Sequence, residues 1–452
     1  MQAKVTSLLS QLATRIRSED SFFFSGDSDL ECTQQFDAIR SGRCFHGFLP
    51  RFDANELIKE RDGDWLIRCT YRDGKEDLVL SIQWNFARHL VIGCTFDGYF
   101  HVDSLRFQTV QDLLEHYCNF RDGALGRFAA TGDAQLKRAI LPQWWQLEAN
   151  RLTDVDKSKA IGIGPTTLVY AGKLRVNDDP SDQTHWHTID VAVKQCRAIS
   201  WKRKLEFMRC ARHLRQLTHE NIPRFYGVII GQEPLRMVVE LVPLGNLCAF
   251  VRKYGEEPLV YTATLQLAFA QDAAEALCYV HSEHLLHLDV AARNCLVSTD
   301  ARKGYRVLLS DFEHFFENLF QFLGAAQRGA TYQLNADDLV PVRWAAPELL
   351  GEPPRVATTK ADVWSFGVLL WEIYSNCDRP YKEDVAIDSM REMREHLDMG
   401  NRLTMPSCTP EAVTELTHDC WALFREDRPE MKRVRKLLNS LDVSDENDDN
   451  DS

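Results

Sequence analysis

The sequence has no pair of cysteines spaced as CxxC, although it contains thirteen cysteines. It has no apolar run long enough to cross a membrane, and no secretory leader stands at its start. These absences argue against a cysteine-based metal site, a disulfide-rich secreted domain and a transmembrane protein. We expect reduced, mostly buried thiols in a cytoplasmic protein without a transmembrane segment.

Basic residues are also scarce relative to acidic ones. The chain has 53 lysines and arginines against 66 aspartates and glutamates, for a net charge of −13. This balance argues against binding to nucleic acid or to an anionic membrane surface. Six carboxylates and no base lie in the last eleven residues, DVSDENDDNDS, so we expect an acidic, disordered tail.

A length of 452 residues exceeds that of one ordinary domain. Short β-type runs such as DWLIRCT and LVLSIQW lie between two helical stretches in the first third of the chain. A connector with the sequence LPQWW precedes a long region of mixed helices and strands. The pattern predicts an α+β multidomain protein with five parts: a helical extension (1–44), a first domain (45–140), a linker (141–151), a second domain (152–441) and the tail (442–452).

Arg68 stands in the middle of the apolar run GDWLIRCT. A buried arginine is costly unless it is paired, so a structural ion pair is one interpretation. Three further polar residues lie at related positions: Arg51 on the preceding helix, Thr70 two residues along the strand, and His89 on a later strand. This grouping favours a binding pocket for an anion, because a guanidinium fork matches a phosphate.

The run FHGFLPRFDANELI…GDWLIRCT…LVLSIQW…RHLVIG…FQTVQDLLEHYC closely resembles a Src-homology 2 (SH2) domain. The resemblance implies a central antiparallel sheet between two helices and partners that carry phosphotyrosine. It implies that Arg68 clamps the phosphate and that Arg51, Thr70 and His89 complete the pocket. The sequence departs from the family at Phe45, where tryptophan is usual, and at Cys69 and Thr70, where Glu-Ser is usual.

The second domain contains a series of spaced motifs. IGIGPTTLVYAGKL at 161–174 is followed by IDVAVKQC, HLDVAARN, LLSDFE, VRWAAPELL, DVWSFGVLLWEIYS and DCWALFREDRPEM. A glycine-rich run alone is weak evidence, but the order and spacing of all these motifs resemble a bilobal tyrosine protein kinase. An SH2 domain directly before such a kinase is most similar to the Fes/Fer group of cytoplasmic tyrosine kinases.

The resemblance implies ATP and Mg²⁺ as cofactors, with roles that suit phosphoryl transfer. Asp289 would accept the proton of the substrate hydroxyl, and Lys194 would hold the α- and β-phosphates. Asp311 and Asn294 would bind magnesium. The remaining nucleotide contacts would come from the phosphate loop and the hinge: Gly162, Gly164, Val169, Glu240 and Val242.

The motif DVAARN also bears on the substrate. Serine/threonine kinases have a lysine two residues after the catalytic aspartate, whereas this chain has Ala291 there and Arg293 four residues after Asp289. That arrangement is typical of tyrosine kinases, so protein tyrosine is the expected substrate. The function is then a non-receptor tyrosine kinase recruited by phosphotyrosine, in the cytoplasm and at the inner face of the plasma membrane.

Four positions depart from the kinase pattern. Leu288 replaces the arginine that usually grips the activation-loop phosphate, and Glu313 replaces the glycine after Asp-Phe. Thr167 replaces the third glycine of the phosphate loop, and Cys210 stands where a helical glutamate should pair with the catalytic lysine. Each lost charge-assisted contact is worth roughly 1.5–3 kcal/mol, so a phosphotyrosine-binding scaffold without catalysis is one alternative. Asp289, Lys194 and Asp311 are all present, however, which favours a slow enzyme.

Two carboxylates could replace the missing helical glutamate. Glu206 lies one helical turn before Cys210, and Glu313 follows the metal-binding aspartate directly. We favour Glu313 as an autoinhibitory group that competes with ATP, with a solvent-exposed Glu313 as the other possibility. Tyr332 is the candidate phosphosite of the activation loop, and without an arginine at position 288 its phosphorylation is expected to activate weakly.

Overall fold

The computed structural model describes residues 42–72, 75–95, 99–102, 105–118, 134–164, 166–177, 186–197, 200–257, 260–302, 304–312, 331–334, 338, 340–382 and 389–441. Residues 1–41 of the predicted helical extension (1–44) and the whole acidic tail (442–452) lie outside these residues. The described part of the chain contains no helix that is both long and apolar enough to span a membrane.

The first domain is built on a sheet whose central strands are antiparallel. In chain order its strands and helices are β1 (Phe45–Phe48), α1 (Arg51–Ile58), β2 (Asp64–Arg72), β3 (Lys75–Trp84), β4 (Phe86–Cys94), β5 (Phe100–Val102), β6 (Leu105–Phe107), α2 (Val110–Cys118) and β7 (Arg138–Ala139). Strands β1 to β6 pair in sequence order, and β7 joins β2 in parallel. This is the expected SH2 architecture.

A tight turn sets the register that builds the pocket. Asn85 adopts a left-handed backbone (φ 59°) between β3 and β4, and its N–H donates to the carboxylate of Asp62 at 2.8 Å. Asparagine tolerates this conformation better than most residues because its short side chain hydrogen-bonds locally. The resulting pairing of β3 with β4 places Ser81 opposite His89.

The second domain begins with a six-stranded sheet and continues into a helical region. Its elements are β8 (Leu152–Thr153), β9 (Gly162–Ile163), β10 (Thr167–Asn177), β11 (Trp186–Cys196), α3 (Trp201–Leu214), β12 (Phe225–Ile229), β13 (Arg236–Glu240), α4 (Leu247–Tyr254), α5 (Ala263–Ser282), β14 (Cys295–Asp300), β15 (Gly304–Leu309), β16 (Thr331–Leu334), β17 (Arg355–Thr358), α6 (Thr359–Tyr374), α7 (Met390–Asp398), α8 (Glu411–Cys420) and α9 (Met431–Ser440). The six-stranded sheet has the order β12–β13–β11–β10–β8, with β9 beside β10.

Side-chain caps explain where several of these helices begin. Asn246 accepts from the Ala249 N–H ahead of α4, and Thr262 accepts from the Leu265 N–H ahead of α5. Ser389 starts α7 in a capping box with the residue three positions on. Such caps satisfy N–H groups that have no partner inside the helix.

The chain divides into two compact units. The first runs through Met208 and includes Tyr226–Val238, so it holds the SH2 domain and most of the six-stranded sheet. The second holds Arg209–Phe225 and everything from Val239 onward. This agrees with the expected α+β multidomain organisation. The exact domain boundaries stay predictions.

Within the first unit, the linker packs on the six-stranded sheet. Leu147 donates its N–H to the carbonyl of Val228 at 2.8 Å, and the N–H of Val228 donates to the carbonyl of Trp145 at 2.7 Å. Leu147 also joins a buried apolar cluster formed by side chains of this sheet. The side chain of Gln146 meanwhile bonds to His46 of β1. The linker is thus an ordered part of the first unit.

The first domain also touches the six-stranded sheet directly. The N–H of Phe48 donates to the carbonyl of Ile230 at 2.8 Å. Gly47 has φ +61°, and a Cβ there would lie 2.0 Å from the Ile230 oxygen. Only glycine therefore permits this close approach of two backbones. Lys204 of α3 adds a polar contact, since its Nζ donates to the Tyr71 hydroxyl at 3.0 Å and pairs with Glu233.

Among the residues that the structure describes, eleven cysteines are free thiols, and seven of these are buried. This agrees with the expectation of mostly buried, reduced thiols for those eleven. Cys94 is disulfide-bonded, so the expectation is wrong for that residue.

Candidate functional site

Arg68 lies buried in the centre of the first domain with its guanidinium fixed by two hydrogen bonds. Its Nε donates to the hydroxyl of Ser81 at 3.1 Å, and its Nη1 donates to the carbonyl of Leu49 at 3.1 Å. The residue is 4% exposed, and within the described ranges no carboxylate pairs with it. The alternative of a structural ion pair is therefore wrong for the part of the chain that the structure describes.

Burial has an electrostatic consequence for this arginine. Burial, opposed by Cys69 and reinforced by the nearby charge of Arg51, lowers the pKa of Arg68 to about 10. The side chain is still cationic at neutral pH. A buried cation that is held by neutral groups is a site prepared for an anion, because the anion supplies the missing charge.

His89 completes the arrangement through the same hydroxyl. Its Nδ1 lies 2.9 Å from the Ser81 oxygen, which already accepts from Arg68. The Ser81 hydroxyl can therefore donate to Nδ1, which leaves the imidazole proton on Nε2. Burial, with added repulsion from Arg68 and Arg51, lowers the pKa of His89 to about 4. The ring is neutral, and its buried Nε2 has no partner among the described residues.

The structure brings together most of the predicted pocket. Arg51 is the first residue of α1, is exposed, and lies close enough to influence both Arg68 and His89. Thr70 is half-buried in β2, on the same strand face as Arg68 because the two are two positions apart. Ser81 was missed by the sequence reasoning. Its one signal is a lone serine on the inward face of an apolar strand.

The phosphate loop of the second domain is a closed hairpin. The N–H of Gly164 donates to the carbonyl of Thr167 at 2.9 Å, and Gly162 pairs with Val169. A Cβ on Gly164 would lie 2.9 Å from the Thr167 hydroxyl oxygen, and one on Gly162 would lie 3.2 Å from Val169. Thr167 is 3% exposed, so its side chain occupies the space beside Gly164. Lys194 lies opposite Val169 in the neighbouring strand β11.

The helix α3 does not supply the substitute glutamate that the sequence suggested. Glu206 forms its ion pair with Arg203, at 2.9 Å along the helix surface. Cys210 is 4% exposed and a free thiol. Pairing of Glu206 with Lys194 is therefore wrong for this structure. Glu313, the favoured alternative, lies outside the described residues.

The second unit contains the catalytic loop. Asn294 donates through Nδ2 to both the side chain and the backbone carbonyl of Asp289, each at 2.7 Å. Arg293 forms an ion pair with the other carboxylate oxygen, and its guanidinium lies 4.1 Å from the ring centre of Trp344. Asp289 is 7% exposed. Three of the predicted catalytic residues thus form one hydrogen-bonded group.

A buried histidine connects this loop to the segment of Asp311. The N–H of Asp289 donates to Nδ1 of His287 at 3.2 Å, so the imidazole proton is on Nε2, which lies 3.0 Å from the carbonyl of Ser310. Burial lowers the pKa of His287, which agrees with a neutral ring. The N–H of Ser310 in turn donates to the carbonyl of Asn294 at 2.8 Å. Asn294 and Asp311 are therefore held close to each other.

These two residues fit a magnesium ion by their chemistry. Both donor contacts of the Asn294 amide nitrogen are made to Asp289, which leaves the amide oxygen as the free ligand atom. Asp311 adds a carboxylate. Magnesium prefers oxygen ligands and usually takes only one or two carboxylates from the protein, with phosphates and water completing its shell.

The backbone adopts a left-handed conformation at one residue of the predicted catalytic loop and at the predicted metal-binding aspartate. Leu288 and Asp311 have φ angles of 59° and 67°. A left-handed conformation at a residue other than glycine costs about 1–3 kcal/mol and persists only where neighbouring contacts hold it. The carboxylate of the fully buried Asp362 provides them at the first site, since it accepts from the N–H groups of His287 and Leu288.

Glu372 of α6 accepts hydrogen bonds that hold the loop, and it was missed by the sequence reasoning. It accepts from the N–H of Ala292 at 2.9 Å and from the indole N–H of Trp344 at 3.0 Å. Burial raises the pKa of this carboxyl to about 7. No spacing rule pointed to it, because it lies about 80 residues after the loop.

The hinge residues lie where the second unit begins. Glu240 ends β13, and its backbone N–H and side chain both bond to the backbone of Arg224. Val239 and Val242 are buried. These contacts position the segment that the kinase resemblance assigns to the adenine base.

Tyr332 lies in β16 and is only 5% exposed. Its hydroxyl donates to the Asp338 carboxylate at 3.2 Å. Leu288 belongs to the same buried apolar cluster. The role of Tyr332 as a phosphosite stays a prediction, but the unmodified side chain is an interior residue.

Comparisons with known proteins agree with these two sites. Residues 155–438 match the family model described as protein tyrosine and serine/threonine kinase, and residues 44–117 match the SH2 domain model. The chain is 32% identical over 396 residues to the tyrosine-protein kinase transforming protein Fps of avian sarcoma virus (strain PRCII), covering 87% of this chain and 66% of that protein.

Two further relatives are also similar to the chain over most of its length. The tyrosine-protein kinase Fer of Homo sapiens is 29% identical over 397 residues, covering 87% of this chain and 43% of Fer. Fer-related kinase 1 of Caenorhabditis elegans is 28% identical over 421 residues, covering 92% of this chain and 96% of that protein. The chain spans 40–66% of the length of the first five relatives.

The kinase model covers well over half of the chain, and the SH2 model lies ahead of it in the order that the resemblance to Fps and Fer requires. The expected kinship is confirmed. The chain belongs to the protein tyrosine and serine/threonine kinase family, and within it to the Fes/Fer-like group with an SH2 domain before the kinase domain.

Proposed function

We propose that this protein is a non-receptor tyrosine kinase that transfers the γ-phosphoryl group of ATP to protein tyrosine. The observation that carries the proposal is the arrangement around Asp289. Asn294 and Arg293 hold its carboxylate, and His287 holds its backbone. Phosphoryl transfer needs alignment and charge neutralisation more than covalent chemistry, so an oriented carboxylate at this position is the main requirement.

Each predicted site residue has its own role in the proposed reaction. Asp289 orients the tyrosine hydroxyl and accepts its proton, and Lys194 binds the α- and β-phosphates. Glycine at positions 162 and 164 keeps the predicted phosphate loop closely packed, because a side chain on either would press on Val169 or on the Thr167 hydroxyl. Asn294 and Asp311 would hold Mg²⁺, which when bound neutralises phosphate charge.

Arg293 supports tyrosine as the acceptor. A tyrosine hydroxyl lies farther from its backbone than a serine hydroxyl does, so the substrate chain must stay at a distance from Asp289. The guanidinium of Arg293 lies against the Trp344 ring and beside the Asp289 carboxylate. Ala291 stands at the position where a serine/threonine kinase has a lysine, so that lysine is absent from this loop.

We further propose that the SH2 domain recruits the kinase to proteins that carry phosphotyrosine. Support comes from the buried Arg68, which is held by neutral partners, and from the neutral His89 with an unused Nε2 donor. The proposed place of action is the cytoplasm. Recruitment to the inner face of the plasma membrane depends on where such phosphotyrosine partners lie.

Thermal unfolding with ATP·Mg and a phosphotransfer assay test the kinase proposal together. We expect ATP·Mg to raise the melting temperature and a tyrosine peptide, but not its serine counterpart, to be phosphorylated. Asp289→Asn should lower the rate about a hundredfold or more and keep the ATP-dependent shift, because Asp289 acts in the transition state. Asp419→Asn, at an exposed position, is the matched control.

The scaffold without catalysis is the contrary outcome. It would be supported if the wild type and Asp289→Asn showed equal residual transfer. It would also be supported if ATP·Mg left the melting temperature of the wild type unchanged.

A further inference from the structure

Tyr332 and Leu288 belong to one buried cluster in the second unit. They are 5% and 6% exposed, and Leu334 and Ala357 lie in the same cluster. Leu288 occupies the position where the kinase pattern has an arginine that binds the activation-loop phosphate. The position of the expected phosphate-binding arginine is therefore held by an aliphatic side chain. That side chain lies in the same apolar cluster as the unmodified tyrosine.

Strand pairing connects Tyr332 to the core of the unit. Tyr332 lies opposite Ala357 in the antiparallel pair β16–β17, and β17 runs directly into α6. Residues directly opposite each other in such a pair project to the same face, so the tyrosine ring and Ala357 lie on the same side. Burial of the ring thereby fixes this part of the activation segment to the helix that supports the catalytic loop.

The polar surroundings of the ring are suited to a hydroxyl. The Tyr332 hydroxyl donates to the Asp338 carboxylate. A phosphate would bring about −1.5 to −2 charges beside that carboxylate and into an apolar cluster, which disrupts by repulsion and by desolvation.

One cation lies on the neighbouring strand, and both of its terminal nitrogens, Nη1 and Nη2, already donate hydrogen bonds. Arg355 pairs with Leu334 across the strands and is 2% exposed. Its guanidinium donates to the carbonyls of Leu349 and Asp338 and to the sulfur of Met390. A two-bond fork from Arg355 to a phosphate on Tyr332 needs at least one of these terminal nitrogens, so it would have to displace part of these contacts.

We propose that unmodified Tyr332 is a structural element of the folded kinase domain and that a phosphate on it destabilises this domain. The apolar cluster that Tyr332 shares with Leu288 then holds this part of the activation segment in place without phosphorylation. The consequence for activity rests on the proposed kinase function. The consequence for stability does not.

The test uses the full chain with phosphotyrosine installed at position 332 during translation. Phosphotyrosine installed in place of the exposed Phe424 is the control. We expect the phosphate at 332 to lower the melting temperature by at least about 5 °C and any phosphotransfer rate by tenfold or more, with little change for the control. A higher melting temperature or a faster rate with phosphate at 332 would overturn the proposal.

Two substitutions keep the proposal testable if the phosphorylated chain does not fold. Tyr332→Phe keeps the ring and should lower the melting temperature by only about 2–4 °C, whereas Tyr332→Ala leaves a cavity and should lower it by about 10 °C. Equal melting temperatures for the two variants would refute a structural role. A wild type that transfers no phosphate would refute only the kinase function. The melting temperatures would still decide whether Tyr332 has a structural role.

Discussion

Arg68 and His89 are held by the same hydroxyl group. The Ser81 oxygen accepts from Nε of Arg68 at 3.1 Å and lies 2.9 Å from Nδ1 of His89. One small side chain therefore orients the cation and also selects the tautomer of the histidine. The proposed phosphotyrosine pocket therefore depends on a residue that the sequence analysis did not include.

We expect Ser81→Ala to weaken phosphotyrosine binding about tenfold, because both side chains lose their common partner. Phenyl phosphate and a short phosphotyrosine peptide, titrated by calorimetry, are suitable probes. Ser440→Ala, at an exposed position in α9, is the matched control. Ser81→Thr keeps the hydroxyl and should restore part of the affinity. Unchanged binding by Ser81→Ala would show that Arg68 and His89 hold their positions without it.

Arg68→Ala should abolish phosphotyrosine binding and leave the domain at least as stable as the wild type. The reason is that the substitution removes a buried cation that has no carboxylate partner among the described residues. Arg68→Lys should also fail, because an ammonium cannot form the two parallel bonds of a guanidinium. Calorimetric titration measures the affinity and urea unfolding the stability, with Arg61→Ala as an exposed control. Retained affinity in Arg68→Ala would remove the pocket from the proposed function.

Glu372→Gln should change how stability depends on pH. Burial raises the pKa of Glu372 from 4.5 to about 7, so the folded state keeps a proton that the unfolded chain loses between those values. The proton on Glu372 therefore makes its full contribution to the free energy of unfolding of the wild type below about pH 4.5. This contribution, up to about 3 kcal/mol, is lost as the pH rises through 7. The glutamine variant lacks this loss and still accepts from Ala292 and Trp344.

Urea unfolding of both proteins at intervals between pH 4.5 and 8 measures this difference. The variant should become more stable relative to the wild type as the pH rises. Glu411→Gln, at an exposed position, controls for the loss of a carboxylate. A difference that stays constant with pH would contradict the raised pKa of Glu372.

The contact of Lys204 with Tyr71 and Glu233 should contribute modestly to the stability of the first unit. The Lys204 side chain is 8% exposed, but Glu233 is 46% exposed and can be hydrated again when the lysine is removed. We expect Lys204→Met to lower the free energy of unfolding by about 1 kcal/mol. A double-mutant cycle with Tyr71→Phe should give a coupling energy of about 1 kcal/mol, whereas a cycle with the exposed Lys202→Met should give none. Additive effects of Lys204→Met and Tyr71→Phe would show that the contact does not form in solution.

The sequence by itself determined the two domain types and their order. Motifs such as HLDVAARN and GDWLIRCT are local, because the chemistry of a phosphate pocket or of a catalytic loop needs particular residues at short, fixed spacings. Arg68, Asp289 and Asn294 could therefore be named without a structure, and the structure places Arg68 in β2 and the other two in the segment between α5 and β14.

Only the tertiary structure decided which side chains complete these sites. Ser81 reaches Arg68 through the register of two strands, and Glu372 reaches the catalytic loop across about 80 residues. Folding likewise brings Leu288 into one cluster with Tyr332, although the sequence showed only a missing arginine. Such contacts depend on how separate elements pack, and spacing along the chain carries no information about that packing.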